Sequence, residues 1–150
     1  MISFRKAATT AAFGAFTVLA LAGCANTPVD PNVTAMRASL SGISEVPPVP
    51  TQGMGEAEVW LNKQTNVVKW KVIYSGLSGP ATAAHFHGPA AAGVNAGVVV
   101  PFQNPVTSPI EGQATLTPAQ AKELTSGLWY INVHTAANRG GEIRGQVLPR

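Results

Sequence analysis

Glu56-Ala57-Glu58-Val59-Trp60-Leu61, Lys63-Gln64-Thr65-Asn66 and Val68-Lys69-Trp70-Lys71-Val72-Ile73-Tyr74 decide the fold. Ala57, Val59 and Leu61 alternate with Glu56, Glu58 and Trp60; Val68, Trp70, Val72 and Tyr74 alternate with Lys69 and Lys71. A period of two marks strands with one buried face, and the four polar residues between the runs close a hairpin. The same alternation recurs on both sides of it. Met36 to Leu40 precedes the hairpin, and Thr82–His87, Val98–Phe102, Ile110–Leu116, Leu128–Thr135 and Glu142–Leu148 follow it. Gly42 to Gly53, with Pro47, Pro48 and Pro50, reads as a loop or irregular edge, since proline cannot donate to a ladder. Gly88 to Gly97 reads as a loop of small residues. One helix is expected, from Thr117-Pro118-Ala119-Gln120 (an N-cap hydroxyl, a first-position proline and a capping-box glutamine) to Gly127, with Leu124 as its buried anchor. The expectation is an all-β, antiparallel Greek-key sandwich or barrel with one short helix.

Composition narrows the function classes. The chain has 150 residues, 45% hydrophobic and 11% charged, which suits one domain with a real core and argues against a coiled coil or a charged disordered chain. Its formal charge of +3 shrinks when Arg5 and Lys6 are set aside: eight Lys and Arg then face seven Asp and Glu. No basic patch points to nucleic acid. A single cysteine excludes an intramolecular disulfide and a multi-thiolate zinc site.

Met1 to Lys6 is a short positive segment, and Ala7 to Gly23 is an uncharged run of small and apolar residues, the layout of a secretory signal. The run ends in Leu21-Ala22-Gly23-Cys24, which resembles the bacterial lipobox. That resemblance implies a signal peptide over 1–23, cleavage before Cys24 and acylation of Cys24, with residues 24–35 as a tether and 36–150 as the domain. Stable anchoring takes more than one acyl chain. Ala25 after the cysteine implies the outer membrane, with the domain facing the periplasm or the cell exterior.

The three histidines fall in two segments, Ala84-His85-Phe86-His87-Gly88 and Asn132-Val133-His134-Thr135. Alternate side chains of a strand face opposite ways, so His85 and His87 share one face and Phe86 takes the core. Likewise Ile131 and Val133 point inward while Tyr130, Asn132 and His134 point outward. If the two strands are neighbours, the three imidazoles converge outside the core. Three neutral imidazoles without a thiolate favour copper, with zinc or nickel next. The other reading is three surface histidines bonded to neighbours or water. Arg144 shares an outer face with Glu142 and Gln146; it either guides an anion toward the imidazoles or forms a surface ion pair with Glu142. No nucleophile elbow, phosphate loop, HExxH helix or paired catalytic carboxylates compete with this chemistry.

Taken together, Leu40-Ser41-Gly42, Glu45-Val46-Pro47-Pro48, Gly53-Met54-Gly55, Tyr74-Ser75-Gly76-Leu77-Ser78-Gly79, Ala83 to Ala90, Tyr130 to Thr135 and Gly140 to Gln146 resemble the CHRD domain named for chordin. The likeness spans about Met36 to Leu148 and implies an extracytoplasmic all-β domain. A second likeness is to copper-zinc superoxide dismutase. It would match His85 and His87 to paired copper ligands, His134 to a late ligand and Arg144 to an anion-guiding arginine. Gly88 to Gly97 holds no histidine or aspartate, so no zinc site or bridging ligand is implied. The expected function is a lipid-anchored binding protein with a copper site; any turnover would be copper-only and dismutase-like. The alternative is a metal-free adhesion or scaffold domain that meets a protein partner through the sandwich faces and the proline-rich edge Glu45-Val46-Pro47-Pro48-Val49-Pro50.

Overall fold

The computed structural model describes Asp30 to Arg150; the expected signal peptide, Cys24 and the tether up to Val29 lie outside the described residues. In chain order the elements are β1 (Val33–Ser41), a 3-10 turn (Gly42–Ser44), β2 (Met54–Asn62), β3 (Val67–Ser75), β4 (Ala81–His87), β5 (Val98–Pro101), β6 (Ile110–Thr115), α1 (Pro118–Thr125), β7 (Tyr130–Thr135), β8 (Ile143–Gln146) and β9 (Leu148–Pro149). The strands form one sheet in the order β5-β4-β7-β8-β1-β2-β3-β6, with β9 beside β1. All pairings are antiparallel, and the sheet curls into a nearly closed barrel rather than two separate layers.

The hairpin β2–β3 pairs Ala57 with Val72, Val59 with Trp70 and Leu61 with Val68, so each inward residue faces another. Trp70 carries the closure. Its ring stacks on Phe102 at 4.7 Å and meets Phe86 edge-on at 5.3 Å, joining β3 to the β4–β5 side of the sheet across the core. The helix starts as the capping box requires: Gln120 N donates to Thr117 Oγ1 (3.2 Å) and Thr117 N donates to Gln120 Oε1 (2.9 Å). Leu124 is fully buried, and Gly127 takes the left-handed φ of +73° just past the helix end.

Several boundaries differ from expectation. Val33, Thr34 and Ala35 pair with Asn62, Leu61 and Trp60, so the end of the expected tether belongs to the fold. The strand expected from Leu128 begins at Tyr130, because Leu128 N is spent on Glu123 O and Trp129 O accepts from Val147 N. The last segment divides into β8 and β9, with Val147 turned into the core between them.

The larger correction concerns the outer face of β4, β7 and β8. The parity is as expected, with Ala84, Phe86, Ile131, Val133 and Ile143 in the core. The opposite face is largely covered, however: every residue of β7 is buried, and Ala81, Ala83 and His85 of β4 are half-buried. Loops cover this face, and one carboxylate ties them down. Glu142 is 0% exposed and has no cationic partner among the described residues. Its Oε1 accepts from Thr51 Oγ1 (2.6 Å) and Ser78 N (2.7 Å), and its Oε2 from Ser78 Oγ (2.6 Å), Thr135 Oγ1 (2.6 Å) and Asn138 Nδ2 (3.1 Å). The expected surface ion pair with Arg144 is therefore absent. These donors stabilise the ionised form against burial and hold its pKa down to about 2.

Glu142→Ala removes an acceptor shared by three loops and is expected to cost about 3 kcal/mol or more in urea unfolding. The wild-type carboxyl protonates more readily in the unfolded chain, near 4.5, than in the fold, near 2. Its stabilisation is thus complete above pH 4.5 and fades as pH falls toward 2. A cost below about 1 kcal/mol at pH 7 would contradict this role.

Candidate metal centre

β4 and β7 are neighbours, with His85 opposite Asn132 and His87 opposite Tyr130. This register places His134 on the same outer face as the His85–His87 pair. One nitrogen from each of the three rings lies within 4.8 Å of the other two. His85 Nδ1 and His134 Nε2 are 3.0 Å apart. Two nitrogens bound to one ion lie about 2.9 Å apart at a right angle and about 3.4 Å apart at the tetrahedral angle. That edge of the triad already has the required spacing. The nitrogens of the set lie within 4.8 Å of one another, against about 3.4 Å at the tetrahedral angle, so a ring movement of roughly 1.5 Å or less completes the site.

Backbone carbonyls fix which nitrogens are free. His87 Nδ1 lies 3.0 Å from Ala96 O, and His134 Nδ1 lies 3.0 Å from Arg139 O. A carbonyl only accepts, so each Nδ1 carries the proton and each neutral ring keeps its lone pair on Nε2. His134 Nε2 accepts from His85 Nδ1–H, so an ion shared by these two atoms requires His85 to carry its proton on Nε2 instead. His87 Nε2 is buried and has no hydrogen-bond partner among the described residues. An orphaned buried lone pair is costly, and a cation shared with the other two rings would satisfy it. The donor set therefore fits a metal ion.

Electrostatics keep the rings of His85 and His134 neutral. Burial, then the proximity of His134 and His87, lower the His85 pKa to about 4. Burial also lowers that of His134, against the opposing effect of the Arg139 carbonyl. Neutral imidazoles need not lose a proton before they bind a metal. His85 is the most exposed of the three and has no backbone anchor, which leaves the approach to the ion on its side.

Arg144 is not beside His134. It sits opposite Asn132 on β8, midway between Tyr130 and His134, and its side chain leans toward Tyr130. The guanidinium carbon lies 3.4 Å from the centre of the Tyr130 ring, while the ring of His87 is stacked with that of Tyr130 at 4.9 Å, 6° from parallel. Because β7 lies between β4 and β8, Tyr130 separates the arginine from the imidazoles. Arg144 is 2% exposed, and its guanidinium donates to Val94 O (2.6 Å) and Asn95 Oδ1 (2.8 Å). That placement braces the Gly88–Gly97 loop and does not offer a charge to an arriving anion.

Sequence reasoning missed two participants. Tyr130 was assigned only an outward direction, yet its hydroxyl accepts from Ala96 N (3.1 Å) and donates to Ala96 O (3.3 Å), the same oxygen that fixes His87. Its parity with His134 along β7 was the available signal. Glu45 was read as part of a partner-facing edge but is buried beneath Gly141, whose φ of +129° and missing Cβ leave room for its carboxyl. Burial outweighs the nearby Arg144 charge and raises the Glu45 pKa to about 7.

In the metal-free protein, the ring signals of His85 are expected to titrate by NMR near pH 4 rather than 6.5. The unfolded chain takes up this proton first as pH falls from 6.5, so the contribution of His85 to stability is full above 6.5 and declines toward pH 4. A midpoint at or above 6.5 would contradict the buried triad.

Comparison with known proteins places the chain in a family. No curated protein and no solved structure matches the chain. The family model described as the CHRD domain matches residues 36–147, from the middle of β1 to the residue after β8, and includes all three histidines. The chain belongs to the CHRD domain family.

Proposed function

We propose that this CHRD domain binds a single copper ion through His85, His87 and His134, and serves in copper binding, storage or delivery. The observation that carries the reading is the buried, unpartnered Nε2 of His87 beside two imidazoles held neutral. Copper is favoured because three nitrogen donors without thiolate or carboxylate suit it, and because Cu(II) leads the divalent affinity order. Zinc or nickel would occupy the same donors more weakly. The carbonyls of Ala96 and Arg139 orient the two anchored rings, the outer-shell arrangement that raises affinity at histidine sites. A bound copper would supply redox capacity. The chain's own contribution is to present lone pairs and to shield two of the three rings from water. Turnover of the superoxide-dismutase kind gains no support from Arg144, whose guanidinium is committed to the loop.

In the same reading, acylated Cys24 anchors the domain to the outer membrane, where it faces the periplasm or the cell exterior. The Leu21-Ala22-Gly23-Cys24 motif supports this. One observation favours the adhesion alternative. Ile43 is 81% exposed and Val46 36% exposed on the segment before β2, so an apolar edge is available to a protein partner.

Titration of the purified protein with Cu(II), followed by dialysis and metal analysis, is expected to retain one copper per chain with nitrogen hyperfine structure in its electron paramagnetic resonance spectrum. His87→Ala and His134→Ala should each lower the affinity by about 10-fold or more. A wild-type protein that emerges empty would contradict the metal reading and favour adhesion.

A further inference from the structure

The Gly88–Gly97 loop has no strand or helix of its own, and Ala91 to Asn95 are exposed. Side chains from the sheet hold it down. Gln146 Nε2 donates to Ala90 O (3.0 Å), Arg144 donates to Val94 O and Asn95 Oδ1, and Tyr130 and His87 both bond Ala96. The loop in turn holds a second segment, because Asn95 Nδ2 donates to Val46 O at 3.0 Å. One of these fastenings differs from the rest: His87 bonds the loop with Nδ1 and presents its free Nε2 to the proposed ion.

We propose that the Gly88–Gly97 loop is the output element of the metal centre, so that occupation of His87 Nε2 tightens the loop through Ala96 and, through Asn95, the Gly42–Pro50 segment. This rests on the metal reading above and adds its consequence for the surface. A cation on Nε2 draws electron density from the imidazole and makes Nδ1–H a stronger donor, so the bond to Ala96 O shortens its open time. The ion also fixes the ring, whose Nε2 otherwise has nothing to hold it. Because Tyr130 stacks on that ring and grips the same alanine, His87 and Tyr130 move together. The exposed side chains of Ile43, Val46 and Val94 ride on the two segments concerned. Metal loading would therefore change the order of an apolar surface without any ligand touching it, a coupling carried by local opening rather than by a shift in shape.

The natural probes are amides within this network. Ala96 N donates to Tyr130 Oη and Gly88 N to Gly97 O, while Glu45 N and Val49 N both donate to Gly42 O. Hydrogen exchange of the purified protein is compared with and without one equivalent of Zn(II), chosen as a redox-silent probe, and bound zinc is measured separately by equilibrium dialysis. The expected result is exchange about five- to tenfold slower at Ala96 and Gly88, with smaller slowing at Glu45 and Val49. Asn95→Ala, outside the ligand set, should bind zinc with unchanged stoichiometry and keep the slowing at Ala96 while losing it at Glu45 and Val49. Zinc bound at one per chain with unchanged exchange in the loop would overturn the coupling and leave the metal site standing. Failure to bind zinc or copper would overturn both.

Discussion

A carbonyl oxygen offers no proton, and two of them, on Ala96 and Arg139, determine the chemistry of the outer face of this barrel. Each takes the Nδ1 proton of a histidine and so directs a lone pair from Nε2 toward the same small volume. Without these contacts, His87 and His134 would exchange tautomers and turn toward water, and the triad would be three unrelated side chains. With them, His134 Nε2 accepts a hydrogen bond from His85 Nδ1–H, and His87 is left with an unsatisfied buried nitrogen. An unmet imidazole acceptor beside two further imidazoles distinguishes the site from an ordinary hydrogen-bonded cluster.

The carbonyls stay in place because their loops are fastened from below. The turn that carries Arg139 is closed by Gly141 N donating to Asn138 O, and Asn138 is tied to the buried Glu142 carboxylate. The loop that carries Ala96 is secured by Tyr130, Arg144 and Gln146. Two charged residues thus act without an ion pair between them. Glu142 is stabilised by hydroxyl and amide donors, and Arg144 by loop oxygens and the face of an aromatic ring. Both are buried polar groups whose partners come from distant parts of the chain, so the outer layer is as much a part of the folded state as the apolar core.

What could be read from sequence followed periodicity and local chemistry. Alternation around Phe86 and Val133 put the three histidines on one side of the wall, and the Thr117–Gln120 capping box located the helix start. The neighbouring of β4 and β7 could not be read that way, since strand order depends on contacts remote in sequence. Nor could the covering of the outer face. Gly88 to Gly97 has no periodic signal, and apart from the Asn95 side chain its restraints are backbone atoms of Ala90, Val94 and Ala96, which every residue possesses. Arg144 and Glu142 were assigned to an exposed face because alternation distinguishes two sides of a strand but not whether a loop lies over one of them. Tyr130 was overlooked for the same reason: its importance arises from what it touches across two neighbouring strands.

The central claim is that three imidazole nitrogens from β4 and β7 share one ion, and anomalous diffraction from crystals of the copper-loaded protein tests it most directly. The account predicts one peak at about 2.0–2.1 Å from a nitrogen of each of His85, His87 and His134, with Nε2 as the donor atom of His87 and His134. A copper ion found elsewhere on the chain, or held by only one of these rings, would contradict it.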